Sequence, residues 1–213
     1  MKLNEESALK VAEFLLQIKA IKLEVAKPFT WASGWKSPIY CDNRKTLSYP
    51  KVRTYIRQQF VKVITDEFGI PDVIAGVATA GIPQGVLVAQ EMGLPFVYVR
   101  QSEKTHGLEN KIEGVIESGQ SVVVIEDLIS TGGSSLKAVE ALRKAGCEVK
   151  GMAAIFTYGF PVAEQAFAKA KCPVATLSNY SFLIQQAVKN AYILEKDLAT
   201  LEKWREKPEE WGK

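Results

Sequence analysis

The sequence has little of what marks a disulfide scaffold, a membrane-spanning chain or a nucleic-acid-binding surface. It has three cysteines, Cys41, Cys147 and Cys172, which are far apart and odd in number. We therefore expect reduced thiols in or near the core, not a disulfide framework or a CxxC metal pair. No apolar run approaches the about 20 residues that span a bilayer. A net charge of +3 is too small to indicate a nucleic-acid partner.

What is present is ordinary for a single folded domain. The 213 residues are 47% hydrophobic and 24% charged, which suits one globular unit with a buried core. Glu5 and Glu6 stand where a signal peptide would carry basic and then apolar residues. We therefore expect one domain over residues 1–213, located in the cytoplasm.

Short apolar strands alternate with helices through most of the chain, a pattern typical of an α/β protein with a parallel sheet covered on both faces. Strands are predicted at residues 73–77, 96–99, 122–125, 150–156 and 174–177. Helices are predicted at residues 5–18, 49–68, 83–91, 134–144, 162–169 and 182–189. Residues 29–42 are predicted to form a hairpin or extended loop, and residues 195–213 a surface helix with a frayed tail.

One stretch, VVVIEDLISTGGS at residues 122–134, carries the functional signal. Glu126 and Asp127 follow an apolar strand, at the end of the sheet where α/β proteins bind ligands. A loop rich in hydroxyls and glycines then leads into a helix, whose first backbone amides are free to bind an anion. The loop residues are Leu128, Ile129, Ser130, Thr131, Gly132, Gly133 and Ser134.

Other nucleotide-binding loops fit this stretch poorly. A Walker loop requires a lysine after its glycines, and a dinucleotide loop follows its strand without two intervening carboxylates. Carboxylates beside a phosphate would repel it unless they bound ribose hydroxyls or magnesium. A Ser/Thr/Gly stretch alone would also fit a capped helix start.

The stretch resembles the phosphoribosyl pyrophosphate motif of type I phosphoribosyltransferases. The resemblance implies a parallel five-stranded sheet core over residues 71–178. A small hood would come from residues 1–70 and the C-terminal segment. It also implies that Glu126 and Asp127 engage the ribose hydroxyls, and that residues 128–134 hold the 5′-phosphate.

A polar loop at residues 100–114 precedes this motif and carries positive charge suited to a diphosphate. Its order R-x₃-K-x-H-G, with Arg100, Lys104 and His106, resembles the catalytic loop of orotate phosphoribosyltransferases. That loop closes over pyrophosphate and is shared between the subunits of a dimer. The resemblance makes Lys104, His106 and Asp127 the catalytic candidates. The alternative is a solvated loop with an idle histidine, and Gln101 stands where the family often has a lysine.

Residues 29–44 resemble the FxxxSGxxSPxY segment of the same family. The resemblance implies that Tyr40 stacks on the pyrimidine and that Ser130 contacts orotate. The alternatives are a hairpin that buries two tryptophans, and a helix-entry hydroxyl at Ser130. Ala32 and Ala80 stand where lysines are common in the family, and Lys36 and Arg44 are candidate replacements.

The resemblance implies transfer of ribose 5-phosphate from phosphoribosyl pyrophosphate to orotate. Magnesium would be held mainly by substrate oxygens, with no protein metal site. We expect a homodimer with no nucleic-acid or membrane partner. Two alternatives are a purine phosphoribosyltransferase and a non-catalytic regulator that senses phosphoribosyl pyrophosphate and binds DNA.

Overall fold

The computed structural model describes residues 4–31, 33–101 and 111–212. The predicted site residues Lys104 and His106, and the position of the missing lysine at Ala32, lie outside this described part. Within it, no helix is long and apolar enough to cross a membrane.

Seven α-helices and ten strands make up the described secondary structure. The helices are α1 (Glu5–Gln17), α2 (Pro50–Phe68), α3 (Gly81–Met92), α4 (Gly133–Lys144), α5 (Pro161–Lys169), α6 (Tyr180–Lys189) and α7 (Leu198–Glu206). The first four strands are β1 (Ile21–Leu23), β2 (Phe29–Thr30), β3 (Lys36–Ser37) and β4 (Ile39–Cys41). The others are β5 (Val73–Val77), β6 (Phe96–Val99), β7 (Ile112–Glu113), β8 (Ser121–Ile129), β9 (Glu148–Thr157) and β10 (Val174–Asn179). Two 3₁₀ helices cover Asn43–Ser48 and Glu195–Asp197.

A six-stranded sheet with the order β10-β9-β8-β5-β6-β7 forms the centre of the molecule. The five predicted strands are confirmed, and all pair in parallel. The sixth strand, β7, was not predicted and pairs antiparallel with β6 at the edge. The α/β class with a parallel core is therefore correct, with one short edge strand added.

Alternation along the strands divides the core between the two faces of the sheet. Ile74 and Val123 point into a cluster shared with helices α1, α2, α3 and α6. Val73 and Val122 point into a second cluster, which α4 and α5 cover. Because both faces are covered, β5 is buried along its whole length, as its continuous apolar sequence requires.

The two ends of the chain meet on one side of the sheet. Strands β2 and β3 form the predicted hairpin, and β1 pairs with β4 beside it. Helix α7 buries Leu201 and Trp204 completely. The tail beyond α7, which was expected to fray, packs instead: Pro208 is buried and Trp211 contacts the core.

Candidate active site

The acidic pair lies within strand β8, which extends four residues beyond the predicted end at residue 125. Glu126 is buried, and its two carboxylate oxygens accept hydrogen bonds from the Asp127 amide at 3.1 Å and the Ser135 hydroxyl at 2.9 Å. Asp127 is half-buried, and its carboxyl group lies close enough to that of Glu126 for the two side chains to interact directly. The longer strand therefore fixes both carboxylates on rigid backbone at the ligand-binding edge.

Both carboxyl groups of the pair have a pKa above the ordinary value, so they keep their protons to a higher pH than exposed carboxyl groups do. Burial raises the pKa of Glu126, and the neighbouring Asp127 charge raises it further. Burial also raises the pKa of Asp127. Hydrogen-bond donors or a cation delivered by a ligand would favour the charged forms of these groups.

The predicted phosphate loop connects β8 to α4 in a tight turn. Gly132 has a φ of 82° at the N-cap of α4, in the left-handed region that favours glycine. Thr131, Gly133 and Ser134 are exposed, whereas Ile129 is buried in the core. The loop thus offers hydroxyls and the free amides of the first helical turn to an anion.

A glycine loop between β5 and α3 lies directly against the acidic pair. A Cβ on Gly81 would overlap the Ile125 carbonyl and approach the Glu126 Cα, so only glycine permits this contact. Beside the loop is a cavity of about 550 Å³, lined by Ala78, Thr79, Ile82, Tyr98, Arg100, Gln101 and Glu113. The structure therefore places the predicted Arg100 next to this loop.

Gln101 also contacts this loop, where the family often has a lysine. Its side-chain amide donates to the Ala78 carbonyl at 3.1 Å. Arg100 lies 3.4 Å from the carboxylate of Glu113, measured from Nη1 to Oε1. The start of the basic loop is thereby connected to the glycine loop through a neutral contact.

A second cavity, of about 270 Å³, lies on the other side of the phosphate loop. It is lined by Thr30, Trp31, Tyr40, Cys41, Leu128, Ser130 and Tyr158. The structure thus brings together Tyr40 and Ser130, the two predicted orotate contacts, although they are 90 positions apart. Their contact with orotate stays a prediction.

Sequence reasoning missed Tyr158, which follows strand β9 directly. It lies at the carboxyl end of a parallel strand, and that position was a usable signal. It also missed Asn43, for which the sequence carried no comparable signal.

Asn43 connects the N-terminal segment to the acidic pair. Its side-chain amide donates to the Asp127 carbonyl at 2.7 Å. Its own carbonyl accepts from Thr46 Oγ1 at 2.6 Å, which in turn accepts from Gln84 Nε2 at 3.1 Å. Asn43, Thr46 and Gln84 are all buried. This network fixes the backbone of Asp127 against the 3₁₀ helix and α3.

Comparison with known proteins identifies the class to which this site belongs. A sequence model for the phosphoribosyl transferase domain matches residues 47–189. The match covers strands β5 to β10, the acidic pair and the phosphate loop. The chain therefore belongs to the phosphoribosyltransferase family, as the motif had indicated.

The relatives refine this membership. The chain is 62% identical over 200 residues to orotate phosphoribosyltransferase of Bacteroides fragilis, covering 94% of each chain. It is 57% identical over 202 residues to that of Porphyromonas gingivalis, covering 95% of this chain and 96% of the other. Among solved structures, orotate phosphoribosyltransferase from Aeropyrum pernix superposes with a TM-score of 0.75 at 26% identity, covering 86% of this chain and 99% of that one.

Proposed function

We propose that this chain transfers ribose 5-phosphate from phosphoribosyl pyrophosphate to orotate, giving orotidine 5′-phosphate and pyrophosphate. The observation that carries the proposal is the acidic pair and phosphate loop lying between two cavities. The identity of 62% and 57% to proteins named orotate phosphoribosyltransferase supports orotate as the acceptor.

The proposed roles follow the position of each group along this edge of the sheet. Glu126 and Asp127 accept hydrogen bonds from the ribose hydroxyls. Residues 128–134 hold the 5′-phosphate through backbone amides and hydroxyls. Arg100 faces the cavity beside the glycine loop, where it is suited to the diphosphate. Ser130 and Tyr40 face the second cavity, which suits the base.

In the proposed reaction, N1 of orotate forms a bond to the anomeric carbon while the bond from that carbon to pyrophosphate breaks. The transition state resembles an oxocarbenium ion, so charge develops on the leaving pyrophosphate. The protein contributes position and charge stabilisation, with no covalent intermediate on a side chain. Lys104 and His106, outside the described residues, are proposed to neutralise the leaving group together with Arg100.

Magnesium is proposed to enter with the substrate. Within the described ranges, no group of three or more metal-ligating side chains lies together, and Glu126 already accepts two hydrogen bonds. Asp127 is the carboxylate that could contact a cation held mainly by substrate oxygens. Such an ion would supply positive charge to the diphosphate.

Two further expectations belong to the same proposal. By resemblance, the chain forms a homodimer in which the loop carrying Arg100, Lys104 and His106 is shared across subunits. The cytoplasmic location expected from the sequence also stays a prediction.

Turnover of orotate with phosphoribosyl pyrophosphate and magnesium, followed by loss of orotate absorbance, tests the proposal. Adenine, hypoxanthine and xanthine in the same assay test the purine alternative. A folded protein that turns over none of these with phosphoribosyl pyrophosphate would contradict the proposed activity. Binding to duplex DNA at physiological salt would then favour the regulator.

The basic loop has its own test in Lys104→Ala. We expect turnover to fall at least about tenfold because a cation facing the leaving group is lost. The unfolding midpoint should change little. Turnover equal to that of the parent would remove Lys104 from the mechanism.

A further inference from the structure

The described residues that line the cavity proposed for the base are all neutral, whereas the proposed acceptor carries a negative charge. All of its described lining residues, from Thr30 to Tyr158, are uncharged. The nearby Arg44 is largely exposed, and its guanidinium is 2.6 Å from the Asp42 carboxylate. Among the described lining residues, the groups available to bind an anionic base are therefore neutral hydrogen-bond donors.

Tyr158 is the most rigidly held of these donors. Its ring stacks between Trp31 and Phe160, with centroids 5.3 and 5.2 Å away. Phe156 and Trp204 meet it edge-on, at 5.7 and 5.6 Å. Only 2% of the residue is exposed. These four rings fix the direction in which the hydroxyl points, so a ligand bond to it requires little further ordering.

The Tyr158 hydroxyl makes no hydrogen bond with any residue in the described part of the chain. Tyr158 lines the cavity together with Cys41 and Ser130. A tyrosine hydroxyl in an otherwise apolar cluster usually has a partner. Tyr180 in the same cluster follows that rule, because its hydroxyl donates to the Leu201 carbonyl at 3.0 Å.

The protonation state of Tyr158 suits a donor. Burial raises its pKa well above the ordinary range, and the nearby Cys41 and Asp127 raise it further. The phenol therefore keeps its proton throughout the physiological range. It can donate a hydrogen bond to a carbonyl or carboxylate oxygen, and it carries no negative charge that would repel an anionic base.

We propose that the Tyr158 hydroxyl is a specificity-determining group that donates a hydrogen bond to an oxygen of the acceptor base. The inference rests on the proposed function, since it assigns the cavity of Tyr40 and Ser130 to orotate. It adds a donor from strand β9 to the two residues that the sequence indicated. The aromatic cluster then has a second role, because it orients that donor as well as stabilising the fold.

Tyr158→Phe is the direct test, because it removes one oxygen and keeps the ring in its cluster. We expect the KM for orotate to rise roughly ten- to a hundredfold, as for loss of a hydrogen bond to a charged or strongly polar group. The KM for phosphoribosyl pyrophosphate should stay within about twofold, since the 5′-phosphate loop is untouched. The unfolding midpoint should not fall, because the hydroxyl has no partner in the described protein.

Tyr180→Phe is the matched control. It removes a hydroxyl from the same cluster, but one that bonds to the protein, so it should lower the unfolding midpoint and leave both KM values unchanged. An unchanged KM for orotate in Tyr158→Phe, or equal increases in both KM values, would overturn the inference. Absence of orotate turnover in the parent protein would instead contradict the proposed function, so the two failures are distinguishable.

Discussion

At Glu126, folding and ligand binding favour opposite protonation states. Burial favours the neutral acid in the free protein, whereas hydrogen bonds from ribose hydroxyls would favour the carboxylate. The site therefore keeps a group that an optimally stable fold would replace. Such conflicts between stability and chemistry are common where a side chain is retained for function.

The first prediction concerns the pH dependence of this conflict. The folded pKa of Glu126 is raised to about 8, so the folded protein holds a proton that the unfolded chain releases near pH 4.5. Its contribution to stability is present below that pH and is lost as pH rises towards 8. Glu126→Gln removes this titration. As pH rises from 5 to 8, the free energy of unfolding of the variant should increase by roughly 2–4 kcal/mol relative to that of the parent. Phosphoribosyl transfer by the variant should fall.

Urea unfolding of the ligand-free protein at pH 5 and pH 8 measures this gain. Glu140→Gln, on the exposed side of α4, makes the same chemical substitution away from the buried pair. It should alter the free energy of unfolding by less than about 0.5 kcal/mol at both pH values. A gain in Glu126→Gln that is the same at both pH values would refute the argument.

The second prediction concerns Asn43, whose amide bonds the Asp127 carbonyl. Asn43→Ala leaves that carbonyl without its donor and should cost about 1–3 kcal/mol of stability. Since the backbone of the acidic pair is then less constrained, kcat/KM for phosphoribosyl pyrophosphate should fall about tenfold. Steady-state kinetics and thermal unfolding provide both measurements.

Asn190→Ala provides the comparison for that variant. Its side-chain amide donates to the Gln186 carbonyl at 2.9 Å at the end of α6, so a similar bond is lost away from the acidic pair. It should lower stability by about 1 kcal/mol without changing kcat/KM. Equal kinetic losses in the two variants would show that the Asn43 effect is general loosening and not positioning.

At the scale of elements, the turn from β8 into α4 is constrained by a side chain of α5 that packs against it. Gly132 needs a left-handed backbone, and a Cβ there would lie 2.8 Å from the ring of Phe167 on α5. Gly93, at the C-cap of α3, also has a positive φ of 66°, but no atom lies within 4 Å of its would-be Cβ. Alanine substitutions at the two glycines therefore distinguish the cost of backbone strain alone from the added cost of a steric clash.

The third prediction follows from this pair. Gly93→Ala should cost about 1 kcal/mol from the left-handed backbone alone. Gly132→Ala should cost roughly 1–3 kcal/mol more, because the Phe167 ring must move in a packed interior. It should also raise the KM for phosphoribosyl pyrophosphate, since the phosphate loop shifts with it. Equal stability losses and an unchanged KM would show that Phe167 does not constrain the loop.

Some strands of the sheet could be predicted from the sequence, and others could not. Strands β5 and β6 are predicted to the residue, because continuous apolar runs end at clear turn signals. Strand β7 has only two residues, too few for any periodic pattern. Strand β8 was predicted too short because Glu126 and Asp127 are polar, yet partners such as Ser135 allow them to continue the strand. The alternation of apolar and polar residues along a strand does not show that such partners exist.

Part of the candidate site could likewise be predicted from the sequence, and part could not. The acidic pair and phosphate loop are contiguous in sequence, so their order alone indicated a sugar-phosphate site. The base-side cavity is assembled from residues 30–41, 128–130 and 158. Tyr40 and Ser130 were predicted through family resemblance. Asn43 was not, because it acts through contacts with segments far away in the sequence. Tyr158 was missed although its place at the carboxyl end of a parallel strand was a usable signal.

At the scale of the whole molecule, the C-terminal tail packs against the hairpin that borders the base-side cavity. The Lys36 side chain lies within 3.3 Å of where a Cβ on Gly212 would be, and Trp211 contacts the core cluster that includes Trp204. Trp204 in turn meets Trp31 edge-on at 5.8 Å. The tail therefore supports strands β2 and β3 by packing against them, and through them it supports one wall of the cavity.

The fourth prediction tests this brace by ending the chain after Glu206. Helix α7 keeps Leu201 and Trp204, whose complete burial anchors it, so the truncated protein should stay folded with a modestly lower unfolding midpoint. The hairpin loses its cover and should become more mobile, because local stability depends on buried contacts. We expect the KM for orotate to rise several-fold and that for phosphoribosyl pyrophosphate to stay unchanged. Glu209→Ala, at an exposed tail position, should change neither value. If the truncated protein kept the parent KM for orotate, the tail would serve only the fold, and the hairpin alone would suffice to form the cavity wall.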